Sequence, residues 1–489
     1  MRCLWAVLVF LSAAAWAQEA DIHHHNAATL YKHPVGPVSV LPVTTKSPKA
    51  RVLYRQAMTE SMNFHLERAL DQWRQAVKLD PDFALPHVMI AFRTQNPTEA
   101  KDELALANAA VKNATRGEQL FVRWIAGIRD GNFVSGIAAM NDVIALYPRD
   151  KQLLSLAGNW LMVRYSYDRA DALLDRALDV DPDYPPALNS AAYAHAQMND
   201  WKSAIALIRH YAQVLPNEPN AQDSYAEILR MAGRYDQALE HYQAALRIAP
   251  GFSIMGLADT YALKGDEARA RAEYMRCNEQ AELSEDTILC RLQYPVTYIW
   301  EKNYKAANQA YESAAKWAHE HNLGLMEAQA HRMMAMYQDE DAAALEHLGH
   351  AEAALSEHPT MSASDRHEEM ARILRLRVVR SLKSNEERSQ SAFHLLQNMA
   401  ESKQSEIVQR AYHAAYGAIL MEHHDPAGAI PHLREDVKDA FSLSLLVAAY
   451  EQSGNSKMAD ASRTELTNLH LPTLDYAIVM ERENIAARR

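Results

Sequence analysis

The sequence predicts an all-α solenoid, a stack of helix–turn–helix units without a sheet. Three observations carry that expectation: helix-closing prolines recur with a period of about 34 residues, a small–large–small pattern precedes them, and the composition is poor in turn formers. Of 489 residues only 15 are glycine and 19 proline, which disfavours a turn-rich all-β fold and nucleotide sites built on glycine loops. The chain is too long for one compact core and suits several domains or an open array. A hydrophobic fraction of 48% with 23% charged residues marks a folded protein rather than a disordered one. Fifty basic against 62 acidic residues give a net charge of −12, so general nucleic-acid binding is not expected.

Residues 1–17 read as a signal peptide. Arg2 supplies the positive start, Leu4 to Leu11 the apolar stretch, and Ala15-Trp16-Ala17 a small-x-small cleavage site before Gln18. That stretch falls short of the ~20 residues a membrane helix needs, and no later run reaches it. The expected product is exported, periplasmic or extracellular, without a membrane span. Residues 18–49 follow as an extended segment with Pro34, Pro37, Pro42 and Pro48. The segment also holds His23, His24, His25 and His33, whose neutral imidazoles are suited to a transition metal. A solvated histidine-rich terminus with adventitious affinity only is the preferred reading, and no metal or cofactor is assigned.

The repeats occupy residues 50–322. Pro148, Pro182, Pro216 and Pro250 are evenly spaced, and Pro81 lies one residue short of two further periods upstream. Ala69, Trp73 and Ala76 precede Pro81; Ala170, Leu174 and Ala177 precede Pro182; Ala238, Tyr242 and Ala245 precede Pro250. Each trio shares one helical face, where small residues admit a neighbouring backbone and the large one fills the gap beside it. The clearest unit begins with Ala226 and Leu229, turns at Gly233-Arg234-Tyr235 and is stopped by Pro250, which lacks the donor to continue. This unit resembles the tetratricopeptide repeat.

Beyond it, residues 323–404 read as degenerate helical repeats. Leu374, Leu376 and Val378 alternate there with Arg372, Arg375, Arg377 and Arg380, the pattern of a helix packed on one side and solvated on the other. Residues 405–489 return to weaker repeats with Tyr450, Gly454 and Ala459. They end in a capping tail, Leu474 to Met480, expected on the last hydrophobic face. Cys277 and Cys290 flank the turn near 282–285 at equal distance, on adjacent antiparallel helices, where a disulfide is feasible. Two buried thiols are the alternative.

No catalytic motif is present: the sequence lacks a phosphate loop ending in Lys-Ser or Lys-Thr, paired CxxC and GxSxG. His367-Glu368-Glu369-Met370-Ala371 lacks the second histidine of a zinc-protease helix and reads as a solvated helix start. The family resemblance implies a right-handed superhelix whose concave wall, made by the first helices, binds a partner segment. Carrying its groove positions onto this chain gives Ser155, Asn159, Asn189, Tyr193, Asp223, Glu227, Arg230 and Asp259. Asp223 and Glu227 stand where carboxylate-clamp repeats carry positive donors, so the expected partner is an extended neutral or basic protein segment. Asn159 and Asn189 would bond its backbone and Tyr193 would give apolar contact. The expectation is a non-enzymatic scaffold. The alternatives are metal handling through the N-terminal histidines, or a regulatory or enzymatic subunit with a site in 323–404.

Overall fold

The computed structural model describes residues 40–482, apart from 64, 95, 130–131, 251, 280–284, 358–360, 362 and 402–404. Residues 1–17, expected to be a signal peptide, the histidines His23, His24, His25 and His33, and most of the 18–49 segment lie outside the described residues. Regular structure among the described residues is entirely helical. The chain forms two units, divided between Ile228 and Leu229 within the helix Pro219–Met231.

The first unit is a run of antiparallel helix pairs: Pro48–Met62 with Leu66–Leu79, Ala84–Arg93 with Pro97–Ala110, Arg116–Arg129 with Phe133–Leu146, Lys151–Val163 with Tyr167–Val180, and Pro185–Gln197 with Trp201–Val214. Local chemistry sets the starts. Asp150 caps its helix by accepting from the amides of Gln152 at 3.0 Å and Leu153 at 3.2 Å, and Pro185 opens the next with its fixed φ. The anticipated trios are core: Ala69, Trp73, Ala76, Ala170, Leu174 and Ala177 are all fully buried. Gly158 permits the close approach within its pair, because a Cβ there would sit 2.7 Å from Leu174 Cγ. First helices close on a left-handed residue at the same register, Tyr165 (φ 57°) and Asn199 (φ 63°) here and Gly233 (φ 72°) in the second unit. Only the last is the glycine that such a turn favours.

Residues 40–47 form an extended strap across this unit. The amide of Leu41 donates to Asp150 Oδ2 at 2.8 Å, Thr44 donates twice to Glu118, and Thr45 Oγ1 and the Lys46 amide both donate to Asp80 Oδ2. Gly117 leaves room for it; a Cβ there would lie 2.9 Å from Leu41 Cδ1.

The second unit continues the pairing through Tyr235–Ile248, Ile254–Lys264, Glu267–Asn278, Glu285–Gln293, Val296–Trp300 and Tyr304–Glu320. Cys277 and Cys290 are bonded, with Cα atoms 6.3 Å apart, in the helices Glu267–Asn278 and Glu285–Gln293. The degenerate region is four more helices of the same up-and-down kind, Gly324–Tyr337, Asp341–Glu357, Ala363–Ser381 and Glu386–Glu401. Two further pairs follow: Glu406–Glu422 with Pro426–Leu433, and Ala440–Gln452 with Ser456–Thr467.

The tail helix Leu474–Arg482 reaches further than the last face. Tyr476, Val479 and Met480 pack with Leu443 and Leu446 of the final pair, while Leu474, Ala477 and Ile478 pack with Val296, Ile299 and Met334. It thereby joins the last pair to the helices Val296–Trp300 and Gly324–Tyr337, far earlier in the chain.

Candidate functional site

In the first unit the expected groove residues form two columns on consecutive first helices. Ser155, Asn189 and Asp223 make one column, and Asn159, Tyr193 and Glu227 the other, each at the repeat period and one helical turn apart. The columns are joined across helices: Tyr193 donates its hydroxyl to Glu227 Oε2 at 2.7 Å, and Ser190 donates to Asn159 Oδ1. Ser155, Asn189, Tyr193, Asp223 and Glu227 are all more than nine-tenths buried, and Asn159 is half-buried. Ser155 Oγ and Asn189 Oδ1 are buried with no hydrogen-bond partner among the described residues. A buried polar atom left unpaired costs about 1–3 kcal/mol.

In the second unit Arg230 and Asp259 turn to their own chain. Arg230 Nη1 reaches the His470 carbonyl at 3.5 Å, and Asp259 accepts from the buried Tyr274 hydroxyl at 2.5 Å. Burial, then the charge of Asp259, pushes the Tyr274 phenol well above its ordinary range. Tyr235 and His470 share a 2.6 Å hydrogen bond beside them.

The arginine-rich helix departs from the sequence expectation. Glu369 does not stand in a solvated helix start; it is fully buried between Arg332 Nε at 2.5 Å and Arg372 Nη1 at 3.1 Å. Burial pushes its carboxyl up, but the two guanidinium charges overcome this and hold it below the ordinary value. Nor are the arginines a solvated face. Arg377 pairs with Glu352 at 2.8 Å, and Arg380 donates to the carbonyls of Ala335 and Met336. Arg375 bridges Asp436, Asp439 and Ser442.

Those acids are held unequally. Asp439 is pushed up by burial and pulled back below its ordinary value by Arg375. Asp436 is raised to about 7, first by burial and then by the charge of Asp439. A carboxyl raised in the fold binds its proton more tightly there than in the unfolded chain. Its contribution is therefore lost as pH rises from about 4 through 7. The Asp436→Asn variant is expected to gain on the wild type over that window and to be the more stable at pH 8. Urea midpoints measured at pH 5 and pH 8 check this; parallel pH slopes for the two proteins would refute it.

Three histidines cluster in the second unit. His347 and His350 lie against His331, with ring centroids 5.8 and 5.1 Å away, and burial with their charges lowers His331 to about 4. Among the described residues no group of three or more His, Cys, Asp or Glu side chains is arranged to hold a metal ion, and no helix is long and apolar enough to cross a membrane.

The paired helices, the period and the left-handed first-helix closures together define a helical-repeat solenoid. Models of the tetratricopeptide repeat match residues 164–228 and 219–252, so the chain carries tetratricopeptide repeats there. No curated protein matches its sequence. Among solved structures, a crystal structure of MamA is 20% identical over 32% of this chain and 92% of its own, with a TM-score of 0.29. A tetratricopeptide repeat protein from Parabacteroides merdae ATCC 43184 is 13% identical over 58% and 99%, with a TM-score of 0.34. The human IFIT1 dimer with m7Gppp-AAAA is 15% identical over 87% and 96%, with a TM-score of 0.36.

Proposed function

We propose that the protein is an exported interaction scaffold that holds an extended, neutral or basic segment of a partner protein along the first helices of its first unit. The observation that carries this reading is the pair of polar columns. Buried polar atoms are normally satisfied, yet Ser155 Oγ and Asn189 Oδ1 have no partner among the described residues, in helices whose buried faces are mainly apolar. Turning the Asn189 amide outward would bring its oxygen to a partner's backbone N–H, and the acidic Asp223 and Glu227 favour a partner without excess negative charge. Export is supported by the leader pattern at 1–17 and by the Cys277–Cys290 bond, which persists in oxidising compartments such as the periplasm or the exterior.

The Asn189→Leu variant separates binding from folding. Replacing an unpaired buried amide by an apolar group of similar size is expected to stabilise the free protein by about 1 kcal/mol while abolishing capture of the partner. Envelope proteins retained by the wild type and by the variant, identified by mass spectrometry beside a denaturant titration of each, give both readouts. Equal capture by the two proteins would sink the proposal. A loss of stability in the variant would instead make Asn189 a packing residue.

A further inference from the structure

Outside the polar columns, the second unit contains a cavity of about 270 Å³ lined by Arg332, Arg372, Arg375 and Arg410 together with Met336 and Ile407. We propose that this cavity is a binding site for a small multivalent oxyanion, a phosphate or a polycarboxylate, gripped by Arg332 and Arg372.

The argument begins from donors. Arg332 and Arg372 share one carboxylate, Glu369, so the trio carries one positive charge in excess. After its Nε bond to Glu369, Arg332 has only the Met336 sulfur at 3.7 Å facing Nη1, and a thioether is a weak acceptor. Arg372 bonds Glu369 through Nη1 alone. The remaining guanidinium nitrogens of both bond no protein atom among the described residues. The two side chains keep 17% and 32% of their surface, so these donors open onto the cavity rather than being walled in. Arg375, by contrast, is saturated by Asp436, Asp439 and Ser442.

The cavity also presents Asp436, Asp439 and Asp475. Asp439 is neutralised by its bidentate bond with Arg375, and burial drives Asp436 and Asp475 toward their neutral forms. Arg410 adds a fourth guanidinium, with Nε 3.3 Å from Glu406. The balance facing a ligand is positive and is delivered by planar forks from two helices, Gly324–Tyr337 and Ala363–Ser381. Such forks match the oxygens of phosphate and carboxylate, and a multivalent anion engages both at once. The volume equals roughly nine water molecules, which suits an anion the size of phosphate or citrate. The site is independent of the columns in the first unit, and either reading stands if the other fails.

Calorimetric titration of inorganic phosphate, and separately of citrate, into the purified full chain tests the site. One anion per chain is expected, with a dissociation constant below about 1 mM. The Arg372→Gln variant should bind at least tenfold more weakly; its side-chain amide can still donate to Glu369, but losing one guanidinium charge beside that buried carboxylate lowers the unfolding midpoint. If that variant does not fold, Arg332→Lys preserves the charge but loses the fork and should show the same weakening. Binding of phosphate alone or citrate alone supports the site and names its chemistry. No saturable binding of either up to about 10 mM overturns it. Equal weakening by the distant surface variant Arg463→Gln overturns it too, since attraction would then be to overall charge.

Discussion

The Arg375→Met variant is expected to lose about 4 kcal/mol of stability, enough to unfold much of the second unit under conditions where the wild type is intact. Arg375 bridges Asp436 and Asp439, with Nη1 3.0 Å from Asp439 Oδ2 and Nη2 2.6 Å from Oδ1, and its charge also reaches Asp475. Methionine matches much of its volume but leaves carboxylates facing each other in a dry environment, and removing one partner of a buried ion pair costs about 3–5 kcal/mol. An exposed pair such as Arg463–Asp460 is worth about 0–1 kcal/mol, so Arg463→Met serves as the control.

The loss should also depend on pH in a definite sense. In the wild type Arg375 holds Asp439 below its ordinary value, which stabilises the fold above about pH 4 and is lost as pH falls through the depressed value. In the variant only Ser442 and the charge of Arg410 still oppose burial, so the acids bind their protons more tightly than in the wild type and the fold weakens as pH rises. The difference between wild type and variant therefore grows from pH 5 to pH 8. Unfolding followed by tryptophan fluorescence in denaturant at both values measures it. A difference below about 1 kcal/mol at pH 8, or one that shrinks with pH, would show that the network does not hold the unit together.

The same network shows where sequence reading stops. Period and trios are local: Trp73 between Ala69 and Ala76 can be recognised because a helix brings residues three and four apart together. The alignment of the polar columns is legible for the same reason, since the repeat period carries Ser155 onto Asn189 and Asp223. Their burial, and the Tyr193–Glu227 bond, depend on neighbouring helices and are not. Alternating Leu and Arg in the helix Ala363–Ser381 was expected to leave the arginines solvated. Their partners instead lie on other helices, Arg375 with Asp439 and Arg380 with the carbonyls of Ala335 and Met336. Nothing in a single helix reveals a carboxylate 64 positions away. The left-handed closures were half legible. Gly233 announced one and Asn199 is a residue that enters this region readily, whereas Tyr165 takes the same φ against its own preference.

The Glu118→Ala variant is expected to lose about 3 kcal/mol and to release the strap at 40–47 from the first unit. Glu118 is almost fully buried and accepts four hydrogen bonds. From the strap come the Thr44 amide at 2.6 Å and its hydroxyl at 2.7 Å; from the helix start come the Thr115 amide at 2.9 Å and hydroxyl at 2.7 Å. Thr115 and Glu118 are the two ends of a capping box, the Thr-x-x-Glu arrangement in which the third helical residue bonds back to the capping amide. One side chain therefore both starts the helix Arg116–Arg129 and fastens the strap. Alanine leaves the two amides without an acceptor, which separates this change from the loss of an ordinary surface cap at about 1 kcal/mol. The Glu118→Gln variant retains one acceptor oxygen and turns an NH2 toward donors, so an intermediate loss is expected. Amide hydrogen exchange discriminates between the roles. Faster exchange at both Thr44 and Thr115 in Glu118→Ala is the expected result, with cleavage appearing between Val40 and Ser47 under limited proteolysis. Faster exchange at Thr115 alone would leave Glu118 a helix cap only, with the strap held by Asp80 and Asp150.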